Sequence, residues 1–335
     1  MRIALVVTQM SERNLRLASQ VGVTDIVGRY PGPRLEDMIA LRRRVERFGM
    51  KLAVIEGYIG HDGIVSGGPG RDEQMESFKQ LLRHMGEAGV PLLCYNFMPA
   101  SDWGRTSTTT PHRGGSQVTA FDARRHEARL PVGEPLSADR LWENLRFMLE
   151  AALPVAEASG VKLAMHPDDP PLPRFGGHAQ IMNSLESFER LVSLVPSPAN
   201  GICFCQGCFA EMGEDVPEAI RRLGRHIHYV HFRDVCGCAT DFKETFHDDG
   251  QTDMAAAMRA YKQIGFEGPM RPDHVPVLEG ENPDMELDYT LPPREQIDVD
   301  TFNGPDVSVP PGYTMLGRLY AVGYMRGLME ATKSV

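Results

Sequence analysis

Four residues of metal-binding type close successive apolar runs in the second half of the sequence. They are His166, Cys205, His231 and Asp273. Two imidazoles and one thiolate suit Zn²⁺, Fe²⁺ or Co²⁺, and the carboxylate widens the choice to Mn²⁺. Any one of these residues alone is more often packed or hydrogen-bonded for structural reasons. Because all four end a predicted strand, we interpret them together as a divalent-metal site.

The other cysteines allow a rival interpretation. Cys205-x-x-Cys208 and Cys236-x-Cys238 follow adjacent predicted strands and offer four thiols to a structural zinc ion. The C-x-C half has unusual spacing for such a site, which makes this hypothesis the weaker one. Two further cysteines lie inside apolar runs and are expected to pack in the core, namely Cys94 and Cys203.

The metal-site residues need a scaffold that brings distant parts of the chain together. Most of the apolar runs are continuous rather than alternating, as in strands that are buried on both faces of a parallel sheet. The predicted strands are 3–7, 25–28, 52–57, 91–97, 162–167, 201–205, 227–234 and 269–274. Amphipathic patterns predict helices at 35–50, 73–88, after the capping residue Ser137, and at 181–194, 217–223, 253–264 and 316–331.

A strand followed by a helix, repeated about eight times, predicts a single (β/α)₈ TIM barrel over residues 1–335. A doubly wound open sheet is the alternative, and 25–28 is the weakest of the predicted strands. Long irregular stretches at 104–135, 167–177 and 279–311 follow predicted strands. Loops in that position build the active-site face of a barrel, so we expect these stretches to shape the site.

The charge balance argues against nucleic acid as a partner. The chain carries 35 Lys and Arg against 45 Asp and Glu, a formal net charge of −10. Segment 279–306 alone holds nine acids and one base, so the rest of the chain is nearly neutral. No basic surface is therefore predicted that would attract phosphates or an anionic membrane.

The apolar runs and the cysteines bear on the cellular compartment. No run approaches the roughly 18–20 apolar residues that a membrane span needs, and the first run is too short for a signal peptide. Six cysteines in 335 residues do not make a disulfide framework. We expect a cytoplasmic protein with reduced thiols that acts on a small molecule and forms a homo-oligomer.

A series of motifs resembles the mannonate dehydratase family. They run in order along most of the chain, which makes the resemblance specific. The motifs are YNFMP at 95–99, DWGRT at 102–106, HPDDPP at 166–171, FCQG at 204–207, HYVHFR at 228–233, FKETFHDDGQTDM at 242–254, PMRPDH at 269–274, PGY at 311–313 and GR at 317–318.

The resemblance implies a TIM barrel of the xylose-isomerase-like type. It also implies a carbon–oxygen lyase that dehydrates D-mannonate to 2-keto-3-deoxy-D-gluconate in hexuronate breakdown, usually with Mn²⁺. The family's metal ligands carry over to the same four residues that the strand ends indicate. A divalent metal suits this reaction because the proton next to a carboxylate is hard to remove unless the developing charge is stabilised.

By the same resemblance, His274 and Tyr313 are the acid and base candidates. One would take the C2 proton and the other would assist loss of the C3 hydroxyl, and the sequence leaves their order open. His274 adjoins Asp273, so support of the metal ligands is its alternative role. The pair Asp168-Asp169 is expected either to support His166 or to cap its loop.

Six residues are candidates for substrate binding, namely Arg271, Asn96, Arg105, Arg174, Glu56 and His247. The three arginines could grip the substrate carboxylate in a bidentate contact, with structural ion pairs as the alternative. Asn96 and Glu56 stand at strand ends and could bind sugar hydroxyls. His247 could reach the site from its loop or cap the helix that begins near Asp253.

One departure from the family lies at 279–308. Family members have RPDH and PGY close together, whereas this acidic insertion in the last βα loop separates His274 from Tyr313. Its composition predicts little packed core of its own. A lid, a specificity loop and a subunit-interface arm are three hypotheses for it. The insertion leaves the placement of Tyr313, and therefore the preferred aldonate, open.

Other functions compete with this interpretation. A sugar isomerase or epimerase on the same barrel type would, by resemblance, use two Glu, a His and an Asp at its metal, so Cys205 disfavours it. A non-catalytic binding protein would not need the intact set of four ligands. A dehydratase that acts on a different aldonate is a third alternative.

Overall fold

The computed structural model describes residues 1–57, 59–99, 103–126, 134–283, 303–304 and 309–333 of the chain. Most of the insertion at 279–308 lies outside these ranges, so its three hypothetical roles stay predictions. Strands and helices are numbered along the chain.

Eight parallel strands close into a barrel, each hydrogen-bonded to its neighbours along the chain, with the last beside the first. They are β1 (Arg2–Val6), β2 (Asp25–Gly28), β3 (Lys51–Glu56), β4 (Leu92–Tyr95), β7 (Lys162–Met165), β10 (Asn200–Cys205), β11 (Ile227–Phe232) and β14 (Pro269–Pro272). Every predicted strand is present, including the weak one at 25–28. The closed barrel confirms the predicted fold class over an open sheet.

Burial explains why the barrel strands could be predicted from the sequence. All residues of β10 and β11 are buried, because side chains alternate between the barrel interior and the surrounding helices. Both faces of these strands therefore require apolar or fully partnered side chains, which gives continuous runs in place of alternation.

The helices surround the barrel. They are α1 (Glu12–Gln20), α2 (Leu35–Glu46), α3 (Asp62–Ser66), α4 (Arg71–Glu87), α5 (Ala138–Ser159), α6 (Leu185–Leu194), α7 (Gln206–Glu211), α8 (Val216–Leu223), α9 (Met254–Gln263) and α10 (Met315–Ala331). Ser137 caps α5 as predicted, since its hydroxyl accepts a hydrogen bond from the Arg140 amide. The predicted helix at 181–194 begins later, at Leu185, because Ser184 is the capping residue.

Three helices were not predicted, and each lacks a usable apolar stripe. α1 follows a Ser11 cap but buries only Asn14, Leu15 and Ala18. α3 and α7 have five and six residues, too few for a helical period to stand out. α7 is also buried on all sides, which removes its amphipathic pattern.

A second, antiparallel sheet lies within the loops after two barrel strands. Its strands pair in the order β12 (Val235–Cys238), β13 (Asp241–Glu244), β6 (Gln117–Asp122) and β5 (Ser107–Pro111). The loop after β4, predicted to be irregular, thus joins the loop after β11. The HPDDPP loop contains a short hairpin of β8 (Arg174–Phe175) and β9 (His178–Ala179). These elements hold side chains around the carboxyl ends of the barrel strands.

No helix within the described ranges is both long and apolar enough to cross a membrane. The cytoplasmic compartment, the single-domain organisation and the homo-oligomeric state are not tested by the fold and stay predictions.

Candidate active site

The four predicted metal ligands meet at the carboxyl ends of the barrel strands, a region we call the barrel mouth. The potential ligand atoms of His166, Cys205, His231 and Asp273 all lie within 4.8 Å of one another. His166 Nε2 is 3.1 Å from His231 Nδ1, and Cys205 Sγ is 3.8 Å from Asp273 Oδ2. The strand register accounts for this, because Cys205 and His231 are direct neighbours across β10 and β11.

The hydrogen bonds of the two imidazoles fit a cation between them. His166 Nδ1 donates to the Pro167 carbonyl over 2.7 Å, and His231 Nε2 donates to Glu56 Oε2 over 3.1 Å. The opposite nitrogens, which face each other, then carry lone pairs. Two lone pairs at 3.1 Å require a proton or a metal ion to hold them together. An outer carboxylate on a ligating histidine is also typical of metal sites.

The other two candidate ligands are held as anions. Although burial opposes ionisation, the Cys208 thiol and the Arg233 guanidinium hold the pKa of Cys205 well below its usual value. Burial likewise opposes ionisation of Asp273, but the charge of Arg271 holds its pKa well below the usual value. A thiolate and a carboxylate beside two imidazoles form a donor set that a divalent metal prefers.

The structural-zinc hypothesis is wrong for this structure. Cys205 and Cys208 are buried, whereas Cys236 and Cys238 are exposed on β12. In the described part of the chain, neither exposed thiol belongs to a group that could hold a metal ion. The core prediction for Cys94 and Cys203 is confirmed, since both are buried inside the barrel.

Two arginines predicted to grip the substrate are engaged by the protein itself. Arg271 contacts both Glu56 oxygens, at 2.7 and 3.2 Å, and Asp273 at 2.7 Å. Arg105 bonds both oxygens of Asp169 and one of Glu244. All of these groups are buried, so the geometry favours the structural ion-pair alternative.

The remaining substrate-binding candidates differ in position. Glu56 is held by Arg271, His231 and the Tyr229 hydroxyl, so it supports a candidate ligand and is not free for a sugar hydroxyl. Arg174 is exposed on the β8–β9 hairpin and donates a hydrogen bond to the Gly177 carbonyl. Among the described residues, it forms no hydrogen bond with any of the four candidate ligands.

The last two substrate-binding candidates, Asn96 and His247, belong to loops that follow barrel strands. Asn96 comes directly after β4, where its side chain accepts a hydrogen bond from the Met98 amide. His247 is fully buried, with its ring stacked near Phe232, and burial lowers its pKa to about 4. It does not cap α9, because Asp253 performs that role.

His274 and Tyr313 lie together despite the long insertion between them. The Tyr313 hydroxyl is 3.4 Å from His274 Nε2, and Glu244 Oε1 accepts a hydrogen bond from His274 Nδ1 over 2.9 Å. The Trp103 ring lies 4.7 Å from the imidazole. Gly312 precedes the tyrosine with a φ of +87°, a left-handed conformation that suits glycine and turns the chain back toward His274.

A network around Arg233 was not predicted. This fully buried guanidinium contacts Asp169, Glu211, Glu244 and Asp273, and it lies 3.5 Å from Cys205 Sγ. Its place at the end of the HYVHFR motif, two residues after His231, is the signal that the sequence offers. Asp169 therefore supports the arginines, whereas Asp168 caps its loop by accepting from the Met182 amide.

The fold and the site together define a class. A closed parallel barrel with two histidines, a cysteine and an aspartate clustered at the strand ends is a (β/α)₈ barrel with a candidate metal centre. A family model described as D-mannonate dehydratase (UxuA) matches residues 10–131 and 125–295. The chain belongs to this family, as the sequence motifs predicted.

Individual relatives agree. Mannonate dehydratase 2 of Halalkalibacterium halodurans is 33% identical over 329 residues, which cover 89% of this chain and 88% of that protein. Mannonate dehydratase of Enterococcus faecalis is 32% identical over 93% of this chain and 92% of its own length. Both relatives are similar to this chain over most of their length.

Solved structures give the same result. The mannonate dehydratase from Streptococcus suis serotype 2 superposes with a TM-score of 0.86 at 30% identity, covering 100% of this chain and 95% of that one. An L-ribulose 3-epimerase superposes with a TM-score of 0.63 at 16% identity, covering 99% of this chain and 96% of that one. The second likeness is evidence for the fold alone.

Proposed function

We propose that this chain dehydrates D-mannonate to 2-keto-3-deoxy-D-gluconate, with removal of the C2 proton and loss of the C3 hydroxyl. The observation that carries the proposal is the cluster of four metal-ligand side chains beside the His274–Tyr313 pair, in a member of the D-mannonate dehydratase family. The sugar isomerase or epimerase alternative has no comparable support, because its structural neighbours share only the fold.

The metal would be held by His166, Cys205, His231 and Asp273. Mn²⁺ is the first candidate, and Fe²⁺, Co²⁺ and Zn²⁺ suit the same donors. When bound, the ion supplies Lewis-acid stabilisation of the negative charge that develops on the substrate carboxylate. Arg271 and Glu56 keep Asp273 and His231 in place for this task.

Hydrogen bonding supports one order of the proton-transfer roles. Since Glu244 accepts from His274 Nδ1, His274 Nε2 carries the lone pair and would take the C2 proton. The Tyr313 hydroxyl faces that nitrogen and would donate a proton to the departing C3 hydroxyl. The buried Glu244 then stabilises the imidazolium that forms, and the proton returns from Nε2 to the Tyr313 oxygen to restore both groups.

Activity is tested with purified protein and D-mannonate, with and without Mn²⁺. We expect a 2-keto-3-deoxy acid to form only in the metal-loaded sample, detected by NMR. A panel of other aldonates, and of aldoses and ketoses, runs beside it. Turnover of a different aldonate alone would correct the substrate, and interconversion of aldoses and ketoses without any dehydration would contradict the proposal.

Exchange of the C2 proton with solvent deuterium distinguishes proton removal at C2 from loss of the C3 hydroxyl. In D₂O, Tyr313→Phe is expected to exchange the C2 proton while losing dehydration by about 100-fold or more. His274→Gln is expected to lose both exchange and dehydration. The opposite pattern, with exchange retained only in His274→Gln, would reverse the assigned roles.

A further inference from the structure

One buried arginine at the barrel mouth differs from the others. Arg105, Arg233 and Arg271 each contact at least two carboxylates, and Arg29 lies 3.0 Å from Glu56. Arg318, in the first turn of α10, is fully buried but forms no ion pair with any described residue. To the described residues it makes one hydrogen bond, a long contact of 3.5 Å from Nη1 to the Thr8 hydroxyl.

Two of its nitrogens, Nε and Nη2, are buried and have no hydrogen-bond partner among the described residues. A buried guanidinium normally bonds a carboxylate, because desolvating a cation without compensation costs several kcal/mol. Burial, together with the charges of Arg271 and Arg29, lowers the pKa of Arg318 to about 9. Within the described ranges, this group therefore lacks an anion that would stabilise it.

The position of Arg318 points to that anion. Its guanidinium lies 4.7 Å from the centre of the Tyr313 ring, and Arg29 lies 5.5 Å from the same ring. A Cβ at Gly317 would come within 2.4 Å of the Pro276 carbonyl, so the glycine lets α10 approach the segment that carries His274. Thr314, one helical turn earlier, also has a buried hydroxyl, and no described residue forms a hydrogen bond with it.

We infer that Arg318 binds the carboxylate of the substrate, in place of the three arginines that the sequence suggested. The two unpartnered N–H groups form part of a planar fork that matches the two oxygens of a carboxylate. This contact would position the substrate against Tyr313 and distinguish an aldonate from a neutral sugar. The inference rests on the proposed function, since it takes the ligand to be a sugar acid.

A pair of inert ligands tests the contact without turnover. The 3-deoxy analogue of D-mannonate lacks the leaving hydroxyl, and its carboxamide has the same shape without the charge. Calorimetry on the Mn²⁺-loaded protein measures the affinity of each ligand for wild type and Arg318→Met. We expect the variant to bind the acid about 100-fold more weakly and the amide less than about threefold more weakly.

Arg113→Met is the matched control. Arg113 also stacks on aromatic rings, 3.9 Å from the Phe246 centre, but it is exposed and bonded to Asp248. Its loss is expected to change neither affinity. Arg318→Lys, which keeps the charge and loses the fork, should weaken acid binding by about tenfold.

Thermal unfolding without ligand shows that the variant folds. Arg318→Met removes an uncompensated buried cation, so its melting temperature should equal or exceed that of wild type. Equal weakening of acid and amide would overturn the proposal and assign Arg318 to positioning Tyr313. Unchanged acid affinity, or a wild type that binds neither ligand, would also overturn it. Absence of product from D-mannonate in the activity assay instead contradicts the proposed function.

Discussion

The barrel interior contains two regions that are built by the same strands. One is an apolar layer of Ala4, Val6, Val27, Ala53, Val54, Leu92, Cys94, Ala164, Cys203 and Tyr229. The other is the barrel mouth, where buried charges surround the four candidate ligands. Cys203 and Cys205 lie two residues apart on β10, one in each region. A step of about 7 Å along a strand therefore separates packing from chemistry.

The two regions also differ in what maintains them. The apolar layer is stabilised by burial itself, which every neighbouring side chain shares. The ion pairs of the mouth depend on mutual compensation, because each of these paired buried charges is tolerable only while its partner is present. Substitutions should therefore cause modest, local losses in the apolar layer and large losses at the ion-paired residues of the mouth.

The test with the largest expected effect replaces one cysteine in each region with alanine. Cys205→Ala is expected to reduce dehydratase activity at least about 10,000-fold and to lose the metal, since it removes an anionic ligand. Cys203→Ala should keep metal and activity, at a cost of about 1 kcal/mol in the free energy of unfolding. Metal content by elemental analysis and steady-state kinetics distinguish them. Loss of metal in Cys203→Ala would instead indicate that the Cys94–Cys203–His231 group holds the metal.

The next largest effect concerns the buried charges themselves. Arg233→Met removes the guanidinium that contacts Glu211 and leaves Arg105 as the cation that Asp169 and Glu244 share. We expect the free energy of unfolding in metal-free protein to fall by about 3–5 kcal/mol, measured by urea denaturation. The control, Arg124→Met, removes an exposed guanidinium that pairs with Asp122 and should cost less than about 1 kcal/mol. Equal losses in both variants would contradict the dependence on compensation.

The smallest effect is a pH dependence that compares two histidines on β11. His231 faces the mouth, where Asp273 and Glu56 raise its pKa well above the usual value, against the effect of burial. His228 is bonded to the Leu163 carbonyl, and burial lowers its pKa from 6.5 to about 4. A neutral histidine in the fold contributes stability that is present above pH 6.5 and is lost as the pH falls toward 4.

His228→Gln can keep the hydrogen bond without titrating. As the pH falls from the pKa of His228 in the unfolded state to its pKa in the folded state, wild type should lose about 2–3 kcal/mol more unfolding free energy than this variant. Groups common to both proteins cancel in the difference. Urea denaturation at several pH values measures it, and a flat difference would show that His228 is not held neutral.

Sequence reasoning recovered the parts of the molecule that depend on local pattern. The barrel strands were legible because burial on both faces demands continuous apolar runs. The four candidate ligands followed from their place at strand ends, since parallel strands bring those ends to one rim. Neither the strands nor the candidate ligands required knowledge of the contacts between residues in the folded protein.

The sequence did not reveal how the charged residues pair. Arg105 and Arg271, both candidates for substrate binding, bond among others Glu244 and Glu56, which lie 139 and 215 positions away. The antiparallel sheet was missed because its strands belong to two loops that pair only in the folded barrel. Short or fully buried helices such as α7 carry no period that could identify them.

The sequence by itself determined the barrel, the family and the residue types at the strand ends, because each depends on spacing along the chain. Only the tertiary structure decided which charges compensate one another. It engaged Arg271 with Glu56 and Asp273, oriented His274 through Glu244, and left Arg318 without a carboxylate partner in the part of the chain that the structure describes. Electrostatic energy depends on the distance between atoms and on the exclusion of water, and neither is encoded in sequence separation.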